Sequence, residues 1–153
     1  MYDTMKKILA VASIGGHWIQ LLRIAKGLEE DYDVSYMSTH EKCGLMVKGH
    51  DFHRLPDFNR WNAWRLFPAF FFALNTLGRE RPNVVISTGA APGLIVVFAA
   101  FCLGKKTIWV DSIANVAHLS FCGKIAKKFV SRFYTQWEEL SGDGICFAGN
   151  VIG

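Results

Sequence analysis

Paired cysteines are the first thing this 153-residue chain lacks. Cys43, Cys102, Cys122 and Cys146 stand far apart with no C-x-x-C spacing, which excludes a zinc ribbon and a thioredoxin-type redox motif and leaves reduced cytosolic thiols as the expectation. The dinucleotide fingerprint G-x-G-x-x-G is also missing. Gly15-Gly16 is followed by His17 and no third glycine arrives in place, which argues against a nucleotide-cofactor oxidoreductase. Charge is sparse, at 20% of residues with a net +4. No zinc-finger, helix-turn-helix or RNP-type pattern accompanies it, so nucleic acid is not an expected partner. The apolar run after Lys6 and Lys7 is short for a signal-peptide core and no small-residue cleavage pattern follows it. From Asn83 to Gly104 there is no charged residue, yet Ser87-Thr88-Gly89 and Ala91-Pro92-Gly93 interrupt the stretch. It therefore reads as a buried strand, a turn and a buried helix rather than a membrane span.

What the chain has in excess is apolar surface: 51% hydrophobic and 14% aromatic residues. That surplus points to a partner surface or a membrane face. The length suits one domain with a proper core and is too short for two ordinary enzyme domains.

Apolar runs alternate with helical spacing almost throughout, with no internal repeat or low-complexity linker. Lys7 to Val11 reads as a buried strand that runs into Gly15-Gly16, and Trp18, Leu21, Leu22, Ala25 and Leu28 then fall at helical spacing from His17 to Glu29. Further strands are expected at Asp33 to Ser38, Asp51 to Leu55, Asn83 to Ser87, Lys106 to Asp111, Arg132 to Gln136 and Gly144 to Phe147. Helices are expected at Leu94 to Leu103 and Leu119 to Val130, the latter with Lys124, Lys127 and Lys128 on one face. The segment from Phe58 to Leu77 is apolar nearly all round, so it must be buried, face a partner or lie in a membrane surface. Pro68 either starts that helix or kinks it. The pattern predicts an α/β fold with a Rossmann-like, doubly wound parallel sheet, in which ligands bind beyond the carboxyl ends of the strands.

Three turns would meet there: Ser13 to His17, Thr88 to Gly93, and Asp111 to Asn115. Two glycines before a helix let the backbone approach a bound group, and the helix N-terminus favours an anion, so a phosphate-bearing ligand is expected. His17 is a candidate general base, because an imidazole titrates near physiological pH; a helix cap or a diphosphate contact is the alternative. Asp111 is a second candidate, as a base or as the group orienting an acceptor hydroxyl, with a helix cap as its structural alternative. Ser13, Gly15, Gly16, Thr88, Gly89, Ala90, Pro92, Gly93, Ser112 and Asn115 are the candidate substrate-binding positions. His50, Asp51, His53 and Asp57 lie close in sequence without a further ligand at fixed spacing, so no metal site is expected.

Ser13-Ile-Gly-Gly-His17, Ile86-Ser-Thr-Gly-Ala-Ala-Pro92, Asp111-Ser112 and Gln136-Trp-Glu-Glu-Leu140 together resemble the oligosaccharide-biosynthesis glycosyltransferase family. Its bacterial members are the PssD and CpsF type of exopolysaccharide proteins, and its eukaryotic members the membrane-recruiting subunit of the dolichol-diphosphate N-acetylglucosamine transferase. Asp111-Ser112 stands where that family favours Glu-Ser, and Asn115 where an Arg commonly follows. The resemblance implies that residues 1–153 form a single acceptor-side half of a split GT-B glycosyltransferase, dependent on a second subunit that carries the donor-binding half. It further implies a UDP-sugar as donor substrate with no separate cofactor, a polyprenyl-diphosphate-linked acceptor, and a cytoplasmic, peripheral location at the inner face of the cell membrane. A non-catalytic scaffold that anchors and activates a partner glycosyltransferase is the alternative.

Overall fold

A computed structural model describes residues 5–58 and 61–153. Seven strands form one sheet in the order β3-β2-β1-β4-β5-β6-β7, and each neighbouring pair is parallel. They are β1 (Lys7–Val11), β2 (Asp33–Ser38), β3 (Phe52–Arg54), β4 (Val84–Ser87), β5 (Lys106–Val110), β6 (Arg132–Thr135) and β7 (Ile145–Phe147). The chain winds outward from β1 to β3, returns to β4 beside β1, and then winds the other way. The carboxyl ends of β1 and β4 are therefore the switch point at which a doubly wound sheet opens a crevice.

Alternation along β1 explains the two cores. Ile8 and Ala10 project to the face covered by α1 (Gly16–Ala25) and α2 (Glu41–Leu45), where they join Trp18, Leu21 and Tyr36. Leu9 and Val11 project to the other face, against α3 (Leu66–Glu80), α4 (Ala90–Cys102) and α5 (Phe121–Ala126), and join Ala69, Ala73, Val96 and Val97. Both faces are covered, as a parallel sheet requires. Small residues on the inner sides of α3 and α4 let these helices lie close to each other and to the sheet.

The expected strands are all present, whereas several helix boundaries shift for local reasons. Helix α4 starts at Ala90 rather than Leu94. Gly89, at φ 133°, completes the turn just before it, and Pro92 sits in the first turn, where its missing N–H costs nothing. Helix α3 starts at Leu66 after a 3-10 turn at Ala63–Arg65, so Pro68 opens a helix rather than kinking one. Asn59 and Arg60, inside the expected aromatic segment, lie outside the described residues. Helix α5 spans only Phe121–Ala126, with Ser120 as its cap, and Lys127 to Phe129 continue as turn. Among the described residues no helix is long and apolar enough to cross a membrane.

Candidate functional site

His17 enters the crevice from the first turn of α1, and the turn after β4 fixes its ring. Nδ1 lies 3.0 Å from the Thr88 carbonyl oxygen. A carbonyl can only accept, so Nδ1 carries the proton, and in the neutral ring Nε2 then holds the lone pair. The contact is reciprocal: the Thr88 hydroxyl donates to the His17 carbonyl at 2.6 Å. Gly89 makes room for the ring, since a methyl at that position would stand 2.7 Å from Nδ1. Its φ of 133° would also strain any side-chain-bearing residue.

Both helices that meet here begin without a side-chain cap. Gly15 (φ 101°) precedes α1 and Gly89 precedes α4, and neither first turn carries an acidic residue. The Gly89 N–H donates to the Ser87 hydroxyl at 3.2 Å, whereas no side chain among the described residues accepts from the N–H groups of Gly16, His17 and Ala90, at the positive dipole ends of the two helices. By contrast, α2 is capped by His40 and α5 by Ser120. Ala90 adopts φ 64° directly after Gly89, so two consecutive residues of this turn hold positive φ. Ser13 is half-buried, and Gly15 and Gly16 are exposed. Pro92 and Gly93 are buried inside α4, and the hydrogen of Gly93 faces the Ser87 side chain so closely that a methyl would collide with its hydroxyl. Gly93 thus serves helix-to-strand packing and does not reach the crevice.

The third turn supplies the opposite wall. A cleft of about 270 Å3 is lined by His17, Ala90, Ser112, Ala114, Asn115, Ser120, Phe121 and Cys122. Asp111, the second candidate base, is absent from that lining. It is 2% exposed, and its carboxylate accepts from Ser120 N–H (2.9 Å), the Ser120 hydroxyl (2.6 Å) and Trp109 Nε1 (3.1 Å). The side chain closes the base of α5, and a methyl at Gly123 would stand 2.7 Å from its Oδ1. This is the cap-like alternative of the sequence reading rather than a base facing the cleft. Burial, with the Asp111 charge beside it, pushes the Cys122 thiol above its ordinary pKa. Cys122 is accordingly a poor nucleophile despite lining the cleft.

Sequence reasoning missed the residues that hold this loop in place. Gln20, 3% exposed on α1, donates from Nε2 to the Asp111 carbonyl (3.1 Å) and accepts from Ile113 N–H (3.0 Å). Trp137 Nε1 donates to the Ile113 carbonyl (2.9 Å). The available signal was a glutamine on the apolar stripe of α1, between Trp18 and Leu21. Phe121, 79% exposed at the cleft rim, carried no sequence signal. Glu138 and Glu139 sit on an exposed 3-10 turn.

Two other cavities frame the choice of site. One of about 330 Å3 lies over the sheet between Ile24, Ile86, Ile108, Val110 and residues 148–151; Tyr134 is its one titratable side chain. Another, of about 310 Å3, lies at the amino ends of β1, β4 and β5 and is lined by Lys6, Asn83, Lys105 and Lys106. His50 and His53 do not meet: His50 Nε2 is 3.4 Å from Glu29 and His53 Nε2 is 3.3 Å from Glu80. Among the described residues no group of three His, Cys, Asp or Glu is placed to hold a metal ion.

Residues 62–147 match the family model described as "Oligosaccharide biosynthesis protein Alg14 like". The chain belongs to the Alg14-like family. This Alg14-like chain is 32% identical over 79 residues, 48% of its own length and 37% of the relative's, to the UDP-N-acetylglucosamine transferase subunit of Yarrowia lipolytica. It is 25% identical to the corresponding mouse subunit, covering 88% of this chain and 76% of that one. It is also 25% identical to a Clostridium kluyveri UDP-N-acetylglucosamine–N-acetylmuramyl-(pentapeptide) pyrophosphoryl-undecaprenol N-acetylglucosamine transferase, over 97% of this chain and 46% of that protein. Among solved structures, Acinetobacter baumannii MurG superposes with a TM-score of 0.81 at 16% identity, covering 94% of this chain and 45% of that one. The Alg14-like chain thus has the fold of one half of a GT-B protein and spans less than half of two of these relatives' length.

Proposed function

We propose that this chain is the acceptor-side half of a two-chain UDP-N-acetylglucosamine transferase that acts on a polyprenyl-diphosphate-linked saccharide at a membrane surface. The observation that carries the reading is the His17 imidazole, locked as the Nδ1–H tautomer by Thr88 beside two uncapped helix N-termini. Relatives along most of the chain are named as subunits of a UDP-N-acetylglucosamine transferase. The clostridial relative, about twice as long, is named for a pyrophosphoryl-undecaprenol acceptor.

In this account the acceptor diphosphate lies against the amides of Gly16, His17 and Ala90, where two helix dipoles favour negative charge. Ser13, Ser112 and Asn115 contact the acceptor. Its attacking hydroxyl reaches His17 Nε2. As the hydroxyl oxygen bonds to the anomeric carbon of the donor sugar, Nε2 takes the proton, and the carbon–oxygen bond to UDP breaks with its electron pair leaving on the diphosphate. The donor is held by the second subunit, in keeping with relatives that are named as subunits of a transferase. Asp111 keeps the α5 wall in place rather than moving protons.

The apolar surplus fits the membrane part. Phe67 and Phe71 on α3 and Phe98 and Phe101 on α4 are exposed. Phe71, Phe98 and Phe101 belong to one aromatic cluster, with Phe70 5.8 Å from Phe71 and 5.9 Å from Phe98, and Phe129 5.4 Å from Phe101. Exposed Lys124, Lys127 and Lys128 follow on the same side of the sheet, each worth about 1 kcal/mol near an anionic surface. Binding to anionic vesicles should exceed binding to neutral ones; equal binding removes the electrostatic part.

The test is reconstitution on vesicles with the product of a neighbouring reading frame that resembles a donor-side GT-B half. Transfer from UDP-N-acetylglucosamine to a polyprenyl-diphosphate saccharide should require both chains. Full turnover by the second chain alone on a soluble acceptor favours the scaffold reading, for which the aromatic surplus is the supporting observation.

A further inference from the structure

We infer that Gln20 is the positioning residue of the acceptor cleft, a role that rests on the acceptor reading of that cleft. The loop from Ser112 to Ala117 forms one wall with little regular structure. Its shape is set near its start. Gln20 grips the backbone on both sides of Ser112, donating to the Asp111 carbonyl and accepting from the Ile113 N–H. Those two partners leave the side-chain amide only one orientation, because a carbonyl cannot donate and an N–H cannot accept. The Ile113 carbonyl is held from the other side by Trp137. Ser112 then heads a tight turn: its hydroxyl accepts from Ala114 N–H at 3.2 Å and its carbonyl from Asn115 N–H at 3.0 Å.

The position of Gln20 on α1 gives the clamp its consequence. It lies one turn after His17 on the same helix. One end of α1 therefore ties down two walls, the Thr88 turn through the His17 pair and the Ser112 turn through the Gln20 pair. Movement of the Ser112 turn relative to the His17 ring requires breaking two hydrogen bonds, one buried and one part-buried, to a side chain that is itself 3% exposed. A buried amide of this kind is strongly disfavoured when unpaired, so the cleft wall and the ring hold one spacing. A misplaced wall weakens acceptor binding while leaving the donor, held by the other subunit, unaffected.

Gln20→Met keeps length and volume and removes both bonds; Gln20→Glu keeps the acceptor for Ile113 N–H and loses the donor. Two readouts are taken on the full chain: amide exchange at Ile113, and binding of a short-chain polyprenyl-diphosphate N-acetylglucosamine. A third, taken with the second subunit, is the Michaelis constant of each substrate. Gln20→Met should speed Ile113 exchange and weaken acceptor binding by about 10-fold, and Gln20→Glu by a smaller factor, with the donor constant unchanged. Unaltered Ile113 exchange, or faster exchange with acceptor binding equal to wild type, overturns the inference. If the wild-type chain does not bind this acceptor, the cleft reading itself fails, and the inference fails with it. Should Gln20→Met not fold, Gln20→Glu alone carries the same comparison.

Discussion

The two ends of the sheet each carry a cavity of similar size, about 270 Å3 at the carboxyl end and about 310 Å3 at the amino end, built from different chemistry. The amino-end cavity is lined by Lys6, Lys105 and Lys106. The carboxyl-end cleft has no lysine or arginine in its lining and carries His17 instead. Side-chain charge alone would send a diphosphate to the lysines. The proposed acceptor site is at the other end, where two helix N-termini lack side-chain caps and a glycine precedes each of them. The histidines divide by what stands at Nε2. His50 and His53 face carboxylates there, Glu29 and Glu80, the latter also 3.8 Å from Lys7, although His50 Nδ1 also lies 3.0 Å from the Val34 carbonyl. His17 pairs through Nδ1 with the Thr88 carbonyl and has no ion-pair partner among the described residues. A site here is marked by backbone left unsatisfied by its own chain, more than by accumulated charge.

The sharpest way to break this contrast is to replace a histidine of each kind. In the two-chain enzyme, His17→Ala should lower transfer about 10²-fold or more, whereas His53→Ala should leave transfer near wild type and lower only the melting temperature. Equal effects on transfer would erase the distinction between the carbonyl-held and the carboxylate-paired histidine. Gly89→Ala comes next. It crowds the His17 ring and strains a positive φ, and should reduce turnover about 10-fold beyond what its loss of about 1–2 kcal/mol of stability explains. Normal turnover would mean that the ring's place does not matter.

A smaller effect tests the cleft itself. Iodoacetamide at neutral pH should label exposed Cys102 before Cys122, whose thiol is held protonated by burial and by Asp111. Faster labelling of Cys122 would mean that the wall formed by α5 is open. The smallest effect concerns Tyr36, away from the cleft. Burial first, then its hydrogen bond to Glu29 and the charge of that group, raise its phenol pKa above the usual value near 10. A raised pKa means the folded state keeps the proton longer. The associated stability is complete below pH 10 and lost as pH rises above it. Tyr36→Phe should flatten that alkaline loss in a pH series of denaturation midpoints.

The strands, their parallel order and the three turns were legible because an apolar period and a glycine leave the same mark in any α/β chain. His17 was legible for the same reason, standing directly after Gly15-Gly16. For Asp111 the sequence leaves base and cap open, because a carboxylate after a strand looks alike whether it faces solvent or folds back onto Ser120, and only the path of residues 112–120 shows the contact with Ser120. Gly93 was placed with the phosphate-binding glycines, although its space is taken by Ser87. Gln20 was passed over because its partners lie more than 90 residues ahead in the chain. Tertiary pairings of that kind leave no local pattern.

The most direct measurement is a backbone amide NMR titration of the chain with geranyl diphosphate. The account predicts the largest shifts at Gly16, His17, Gly89 and Ala90, with smaller ones at Ser112 to Asn115, and none at Lys6, Lys105 or Lys106. Shifts confined to those lysines would place the diphosphate at the amino end and contradict it.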